Sequence, residues 1–172
     1  MKFYVAYGSN LNVGQMFYRC PQAEVVSTGV LKDYRLMFRG SQSGNYLTIE
    51  PCKGRSVPVV IWQVSKRDEK RLDVYEGYPN FYRKDTIKLD IDDEIVDAFV
   101  YVMTGHRPAG IPRNEYYGTC LEGYRQFNFD EEILNQAYRE SEREALTPDP
   151  EPIDDFSLAP YGWADDRIMR ES

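Results

Sequence analysis

The alternation of apolar and polar residues predicts a chain built mainly from β-strands. β-branched and aromatic residues are concentrated in short runs that have the length and composition of strands. These runs cover residues 3–6, 24–31, 34–39, 46–50, 57–64, 82–91 and 95–103. In the sixth run Ile87, Leu89 and Ile91 alternate with polar residues, which is typical of a strand buried on one face. The short polar link at residues 92–94 predicts an antiparallel hairpin with the next strand.

Two helices are predicted. Ser65 followed by Asp68 is typical of an N-terminal capping box, so we expect a helix from there to about Tyr75, with Gly77 ending it. A longer helix is expected over residues 129–145, because apolar residues fall on one stripe at helical spacing. That stripe consists of Ile133, Leu134, Ala137 and Tyr138, and the predicted N-cap is Asn128.

These elements predict an α+β fold. Seven strands without regular βαβ alternation favour a mixed, largely antiparallel sheet, and a sheet of that size tends to curl. We therefore expect a small β-barrel with two to four flanking helices, formed by residues 1–145. Residues 146–172 are expected to be an acidic, proline-containing tail, since proline and repeated like charge oppose regular structure. Apolar residues in this tail can dock back on the domain or on a second subunit, which makes a homodimer one expected assembly: Phe156, Leu158, Tyr161 and Trp163.

Composition and charge restrict the partners. The formal net charge is -7 and the isoelectric point is near 4.8, which argues against nucleic acid because phosphate binding needs clustered basic residues. Cys20, Cys52 and Cys120 show no CxxC spacing, so we expect neither disulfides nor zinc, and a reducing cytoplasm fits best. No run approaches the roughly 20 apolar residues that a membrane-spanning helix needs, and we expect no membrane partner.

The residue inventory leaves few kinds of chemistry. His106 is the only histidine and lies in a loop punctuated by glycine and proline, so a Ser-His-Asp triad is not expected. One histidine and three scattered cysteines disfavour a metal site. No phosphate-binding glycine loop or dinucleotide fingerprint is present, and we expect no cofactor. Acid/base catalysis by a carboxylate remains.

Glu76 is the best candidate for that carboxylate. It lies at a predicted helix end beside Gly77 and among aromatic residues, where partial burial would raise its pKa toward that of a useful base. A solvated glutamate at a helix terminus is the alternative. Asp73, one turn earlier, is the competing carboxylate, and it can instead fix the helix end through backbone hydrogen bonds.

A candidate binding loop follows the first strand. Tyr7-Gly8-Ser9-Asn10-Leu11 comes directly after residues 3–6 and precedes a weakly helical stretch. Gly8 lets the backbone turn sharply and approach a ligand, so that consecutive amides can point at an oxygen atom. An ordinary turn is the alternative, because Gly, Ser and Asn dominate turns. The fourteen tyrosines of the chain suggest a polar-lined cavity, although an aromatic-rich core explains them equally well.

Taken together, the two motifs resemble the γ-glutamylcyclotransferase family, which includes AIG2-like and γ-glutamylamine cyclotransferase proteins. The resemblance rests on the strand-terminal Tyr-Gly-Ser-Asn-Leu and on Leu-Asp-x-Tyr-Glu-Gly some sixty-five residues later, and it runs from about residue 2 to residue 103. It implies an α+β barrel in which Glu76 is the acid/base and the amides of the loop hold the substrate. The implied substrate-binding residues are Tyr4, Tyr7, Gly8, Ser9, Asn10, Leu11, Tyr82 and Tyr101, and Tyr82 can equally be a core aromatic.

The implied reaction is an intramolecular aminolysis. The α-amine of a small γ-glutamyl amine or peptide attacks its own side-chain carbonyl, which gives 5-oxoproline and a free amine or amino acid. The loop amides would bind either the α-carboxylate or the developing oxyanion. A non-catalytic module that binds a carboxylate metabolite in the same cavity is the alternative, and Glu76 disfavours it because its charge would repel such a ligand.

Overall fold

The computed structural model describes residues 1–41 and 43–147. Within them the strands are β1 (Lys2–Ala6), β2 (Glu24–Ser41), β3 (Gly44–Val64), β4 (Tyr82–Ile91) and β5 (Glu94–Met103). The helices are α1 (Val13–Arg19), α2 (Lys66–Glu76), α3 (Asn114–Gln126) and α4 (Glu131–Leu146), and a 3₁₀ turn spans Ser9–Leu11. The predicted tail lies outside the described residues apart from Leu146 and Thr147, and so do the four apolar residues expected to dock.

One sheet holds the domain together. Its five strands lie in the order β2-β3-β1-β5-β4, and β1 pairs parallel with β5 while the other pairs are antiparallel. The predicted α+β fold with a mixed, largely antiparallel sheet is therefore confirmed. The word barrel describes it only loosely, because the sheet is not closed and β2 and β4 are its edges.

The seven predicted strands are five in the structure. Residues 24–31 and 34–39 belong to the single strand β2, and residues 46–50 and 57–64 belong to β3. The interruption is a bulge: Lys32 pairs with Ser56 and Tyr34 pairs with Pro51, so extra residues loop out of the ladder without ending it.

The predicted hairpin between β4 and β5 is confirmed. Tyr82 pairs with Met103 and Ile91 pairs with Glu94 in an antiparallel ladder. Asp92 and Asp93 form the turn with positive φ angles of 52° and 65°, a backbone conformation that two-residue hairpins favour and that aspartate tolerates.

The helical predictions are confirmed with two corrections. The capping box of α2 is present, and Gly77 ends that helix with a φ of 66°. The long C-terminal helix is capped by Asp130, which accepts a hydrogen bond from the amide of Glu132, and not by Asn128. Helix α3 was not predicted; its glycine Gly123 lies so close to Leu11 that a Cβ atom there would meet Leu11 Cβ at 2.8 Å.

Candidate functional site

The part of the β2–β3 hairpin beyond the bulge, residues 34–41 and 43–51, is called the β2–β3 arm. A cavity of about 330 Å³ opens where β1, the 3₁₀ turn, the end of α2 and this arm meet. Such a volume lies at the lower end of the range of about 300–1,000 Å³ that small-molecule sites occupy. Of the eight residues predicted to bind the substrate, seven line this cavity: Tyr4, Tyr7, Gly8, Ser9, Asn10, Tyr82 and Tyr101. Glu76 lines it too, so the early loop and the mid-chain carboxylate face one space.

Glu76 is the last residue of α2, and two local features fix its position. The capping box sets the start of the helix, and the left-handed Gly77 directs the chain away immediately after Glu76. The carboxyl group is mostly withdrawn from solvent. Burial raises its pKa to about 8, and the nearby positive charge of Arg19 opposes that rise. Glu76 therefore has the pKa of a base that can both take and return a proton near neutral pH.

Asn10 joins the loop to this carboxylate. Its Nδ2 donates to Glu76 Oε1 at 3.1 Å and to the hydroxyl of Tyr4 at 2.9 Å. Arg19 Nη1 donates to Asn10 Oδ1 at 2.6 Å, which fixes the orientation of the carboxamide, and Trp62 Nε1 donates to the backbone carbonyl of Asn10 at 3.0 Å. Every polar group of the Asn10 side chain is used, so the loop and the acid are held in one geometry.

The loop itself is a short helical turn. The amides of Leu11 and Asn12 donate to the carbonyls of Gly8 and Ser9 at 3.0 and 3.1 Å. The amides that begin a helical turn have no acceptor within it, so those of Ser9 and Asn10 can serve an incoming oxygen atom. The hydroxyl of Ser9 lies 3.2 Å from that of Tyr75, whose ring stacks under the guanidinium of Arg19 at 3.5 Å.

The predicted tyrosines are hydrogen-bonded and neutral. Tyr7 donates to the carbonyl of Tyr101 at 2.6 Å, Tyr82 donates to the carbonyl of Leu47 at 2.7 Å, and Tyr101 donates to Asp73 Oδ1 at 2.6 Å. Burial raises the pKa of Tyr4, Tyr7 and Tyr82 well above the ordinary value. These rings therefore offer aromatic surface and positioned hydroxyls without adding negative charge to the cavity.

The competing carboxylate has a different environment. The carboxylate of Asp73 accepts from Tyr101 and pairs with Lys84 Nζ at 3.0 Å. Its backbone carbonyl accepts from the amide of Tyr78 at 2.9 Å, so Asp73 also fixes the end of α2 through backbone hydrogen bonds, as the alternative had it. Among the described residues that line the cavity, Asp73 is absent and Glu76 is the carboxylate present.

Leu11 does not reach the cavity. It is fully buried in the core and packs against α3 beside Gly123, so its assignment to substrate binding is corrected to a core position that anchors the turn. His106 lies in the exposed loop that was predicted for it, after β5. Within residues 1–41 and 43–147, no cluster of three or more His, Cys, Asp or Glu is arranged to hold a metal ion. In the same ranges, no helix has both the length and the apolar character needed to cross a bilayer.

Sequence reasoning missed part of the lining. The additional lining residues are Ser43, Tyr46, Leu47, Val74, Tyr75, Gly77, Phe81 and Tyr116. Tyr75 and Gly77 flank Glu76 and Phe81 precedes β4, so the sequence did carry a signal for these three. Tyr116 lies on the unpredicted α3, and Tyr46 and Leu47 lie on the β2–β3 arm, whose position depends on packing between distant segments. Arg19 was missed as well, although it lies nine residues from Asn10.

Comparison with known proteins agrees with this picture. The family model described as "Gamma-glutamyl cyclotransferase, AIG2-like" matches residues 4–118, beyond residue 103 where the resemblance was expected to end. The chain is 35% identical over 81 residues to the human γ-glutamylcyclotransferase, covering 43% of each chain. It is 28% identical over 101 residues to the zebrafish (Danio rerio) γ-glutamylaminecyclotransferase B, covering 55% of this chain and 53% of that one.

A solved structure titled "Gamma-glutamyl cyclotransferase" superposes with a TM-score of 0.68 at 22% identity, covering 91% of this chain and 95% of that chain. This likeness shows a shared fold. The aligned segment spans about 43% of the human relative's length, so the relatives' names describe those proteins and do not by themselves assign an activity to this chain.

Proposed function

Because the chain belongs to the AIG2-like γ-glutamyl cyclotransferase family, we propose that it converts a small γ-glutamyl amine or peptide to 5-oxoproline and a free amine or amino acid. One observation carries the proposal: the 3.1 Å hydrogen bond from Asn10 to Glu76, which joins the candidate binding loop to the candidate acid/base inside one cavity.

The reaction needs neither a protein nucleophile nor a cofactor. The α-nitrogen of the substrate attacks the γ-carbonyl carbon, so a C–N bond forms within the glutamyl group, and the C–N bond to the leaving nitrogen breaks. Because nucleophile and electrophile belong to one molecule, the site has only to fold the substrate and to move protons. The cavity, with its hydrogen-bonded tyrosines and one carboxyl group, is suited to that task.

Glu76 is the group we propose for proton transfer. As a carboxylate it accepts the proton that the α-ammonium loses during attack, and as a carboxylic acid it returns that proton to the departing nitrogen. Its pKa of about 8 makes both forms accessible near neutral pH, which is the condition for efficient general acid/base catalysis.

The loop amides are the groups we propose for holding the substrate's oxygen atoms. Amides at Gly8, Ser9 and Asn10 would bind either the α-carboxylate or the oxyanion that develops on the γ-carbonyl oxygen. The position of the Ser9 and Asn10 amides at the start of the 3₁₀ turn and the proximity of Arg19 support an anion at this end of the cavity. Gly8 lines the cavity beside Tyr116, and a Cβ atom there would make ordinary van der Waals contact with Tyr116 Oη at 3.4 Å.

The test compares two variants of α2. Purified protein is incubated with a panel of γ-glutamyl amines and γ-glutamyl amino acids, and 5-oxoproline is quantified. We expect Glu76→Gln to reduce kcat by about 100-fold or more, because a glutamine cannot transfer the proton. Glu69→Gln is the matched control, since Glu69 lies on the same helix outside the described cavity lining, where it pairs with Lys2 and Lys84.

Two results would count against the proposal. Full turnover by Glu76→Gln would remove this residue from the mechanism. Tight binding of 5-oxoproline without any turnover of the panel by the unmodified protein would favour the non-catalytic binding module.

A further inference from the structure

Four aromatic rings form a continuous aromatic wall on one side of the cavity: Tyr46, Phe81, Tyr82 and Tyr116. The ring centroids of Tyr46 and Tyr116 are 5.1 Å apart, those of Tyr46 and Phe81 are 5.9 Å apart, and those of Phe81 and Tyr82 are 5.1 Å apart. All three pairs meet edge to face, which is a favoured packing of aromatic rings. The wall is therefore a preformed apolar surface.

The backbone of Leu47 holds this wall in place. Its carbonyl accepts from the hydroxyl of Tyr82 at 2.7 Å, and its amide donates to the hydroxyl of Tyr116 at 3.0 Å. Because both hydroxyl groups are tied to the β2–β3 arm, the rings cannot turn away from the cavity without breaking buried hydrogen bonds.

The aromatic wall begins beside the candidate binding loop. Tyr116 Oη lies 3.4 Å from the position that a Cβ atom of Gly8 would occupy. A γ-glutamyl group gripped by the loop amides would thus place what is attached to its γ-carbonyl against these rings. With the oxygen atoms of the glutamyl group on the loop amides, the adjoining wall is the surface that the leaving group would contact.

The cavity offers no positive charge to a leaving group. Among the described lining residues, Glu76 is the carboxyl group, and lysine, arginine and histidine are absent. The basic residue near the wall is Arg107, whose guanidinium lies 4.3 Å from the ring centroid of Phe81 and whose Nε donates to the carbonyl of Thr104 at 3.1 Å. A carboxylate on the leaving group that packs against the wall would lose water without gaining a cationic partner among these lining residues. It would also be repelled by Glu76 in the carboxylate form, which is the form that accepts the proton during attack.

We propose that the leaving group is an amine that carries no carboxylate and has an apolar or aromatic body. The preferred substrates are then γ-glutamyl amides of simple amines, and γ-glutamyl amino acids are poor substrates. This inference rests on the proposed function and adds to it the chemical class of the released product.

Matched substrate pairs that differ only in one carboxylate test the inference. The first pair is γ-glutamyl-phenethylamine and γ-glutamyl-phenylalanine, and the second is γ-glutamyl-ethylamine and γ-glutamyl-alanine. We expect kcat/KM to be at least about tenfold higher for the amine member of each pair, because only the amino-acid member buries an unpaired charge. We also expect the phenethyl compound to exceed the ethyl compound, since it covers the aromatic wall.

A substitution that supplies the missing charge sharpens the test. Ser43 lines the cavity and is exposed, so it tolerates a longer side chain. We expect Ser43→Arg to raise kcat/KM for γ-glutamyl-phenylalanine relative to γ-glutamyl-phenethylamine, and Ser43→Gln, which adds a side chain without charge, to leave the ratio unchanged. An unchanged ratio in Ser43→Arg would contradict the charge argument.

The outcomes separate this inference from the proposed function. If none of the four compounds yields 5-oxoproline, the proposed function fails and the inference fails with it. If all are turned over and the amino-acid members are equal or better, the cyclotransferase activity stands and this inference alone is overturned. In that case, loss of the preference for γ-glutamyl amino acids in Arg107→Gln would identify Arg107 as the partner of the leaving group's carboxylate.

Discussion

Asn10 is the residue on which the site depends most directly. Its side chain touches Tyr4, Glu76 and Arg19, and its carbonyl receives the indole N–H of Trp62. The carboxamide of an asparagine can flip about its Cβ–Cγ bond with almost no change in shape, and the flip would exchange the acceptor Oδ1 and the donor Nδ2. Arg19 prevents that, because a guanidinium can only donate and so requires the oxygen on its side. The amide nitrogen is thereby left facing Glu76, and Arg19 acts on the carboxylate through Asn10.

Replacing Arg19 should therefore move the pH dependence of the reaction. The base form of Glu76 has lost its proton, so kcat/KM should rise with pH until about the pKa of 8. The positive charge of Arg19 lowers that pKa, so we expect Arg19→Gln to raise it and to shift the rising limb to higher pH. At pH values below the pKa of Glu76, we expect kcat/KM of the variant to be several-fold lower, because each unit by which the pKa rises lowers the deprotonated fraction of Glu76 about tenfold.

The pH profile of kcat/KM for one γ-glutamyl substrate measures this shift, and Arg67→Gln on the exposed face of α2 is the matched control. A variant with lower activity but an unmoved profile would mean that Arg19 supports the loop only sterically.

At the scale of elements, the sequence predicted the helices and strands that are specified by residues within or next to the element itself. The capping box of α2 and the alternation of Ile87 and Leu89 in β4 each lie within a few residues of the feature they specify. The sequence did not reveal that β2 and β3 continue through their bulges. Asp33 and Gly54, with φ angles of 63° and 84°, look like turn residues in the sequence, yet they only displace the ladder.

Helix α3 shows a different limit. Its Gly118 and Gly123 lower its intrinsic helical propensity, and its burial against the 3₁₀ turn compensates. Residues 117, 120, 121 and 124 do fall at helical spacing, which is a signal that could have identified it. The site residues followed this division only in part. Glu76 and the loop residues 7–10 were predicted from the two motifs, and the lining residues on α3 and the arm were not. Tyr75 and Gly77 were missed although they flank Glu76 in the second motif. Leu11, inside the first motif, was assigned to the substrate although its side chain belongs to the core.

The cap of α2 allows a stability prediction at this scale. Ser65 accepts from the amide of Asp68 at 3.0 Å, and Asp68 accepts from the amide of Ser65 at 3.2 Å while nearly fully buried. We expect Ser65→Ala to lower the free energy of unfolding by about 1 kcal/mol, since it leaves a helix N-terminal amide without its acceptor. Urea unfolding measures the loss, and the exposed Ser43→Ala should change it by less than about 0.5 kcal/mol. Equal stability of both variants would mean that water replaces the cap.

At the scale of the whole molecule, the cavity exists because segments far apart in the chain are packed on one sheet. The central strand β1 delivers the loop, and its antiparallel neighbour β3 leads directly into α2 and Glu76. Thr48 on the arm accepts from the amide of Met103 at 3.1 Å, which joins the arm to the end of β5. Helix α4 supports the arm from behind: Ser141 Oγ accepts from the amide of Phe38 at 2.9 Å, and Glu144 pairs with Arg39. The arm that carries Tyr46 is therefore held by contacts with segments far away in the chain, the end of β5 and α4.

The domain boundary near residue 145 remains a prediction, and two shortened chains test it. The described core and cavity are complete at Thr147, so we expect a chain that ends there to unfold within about 0.5 kcal/mol of the 172-residue chain and to keep its turnover. A chain that ends at Asp130 should not fold cooperatively, because it lacks the buried Leu134 and Ala137 and the support of Ser141 for the arm. Thermal unfolding followed by circular dichroism, with 5-oxoproline release as the second readout, compares the three proteins. A loss of several kcal/mol, or of turnover, on removing residues 148–172 would place the acidic segment within the working domain, and the boundary would then be wrong.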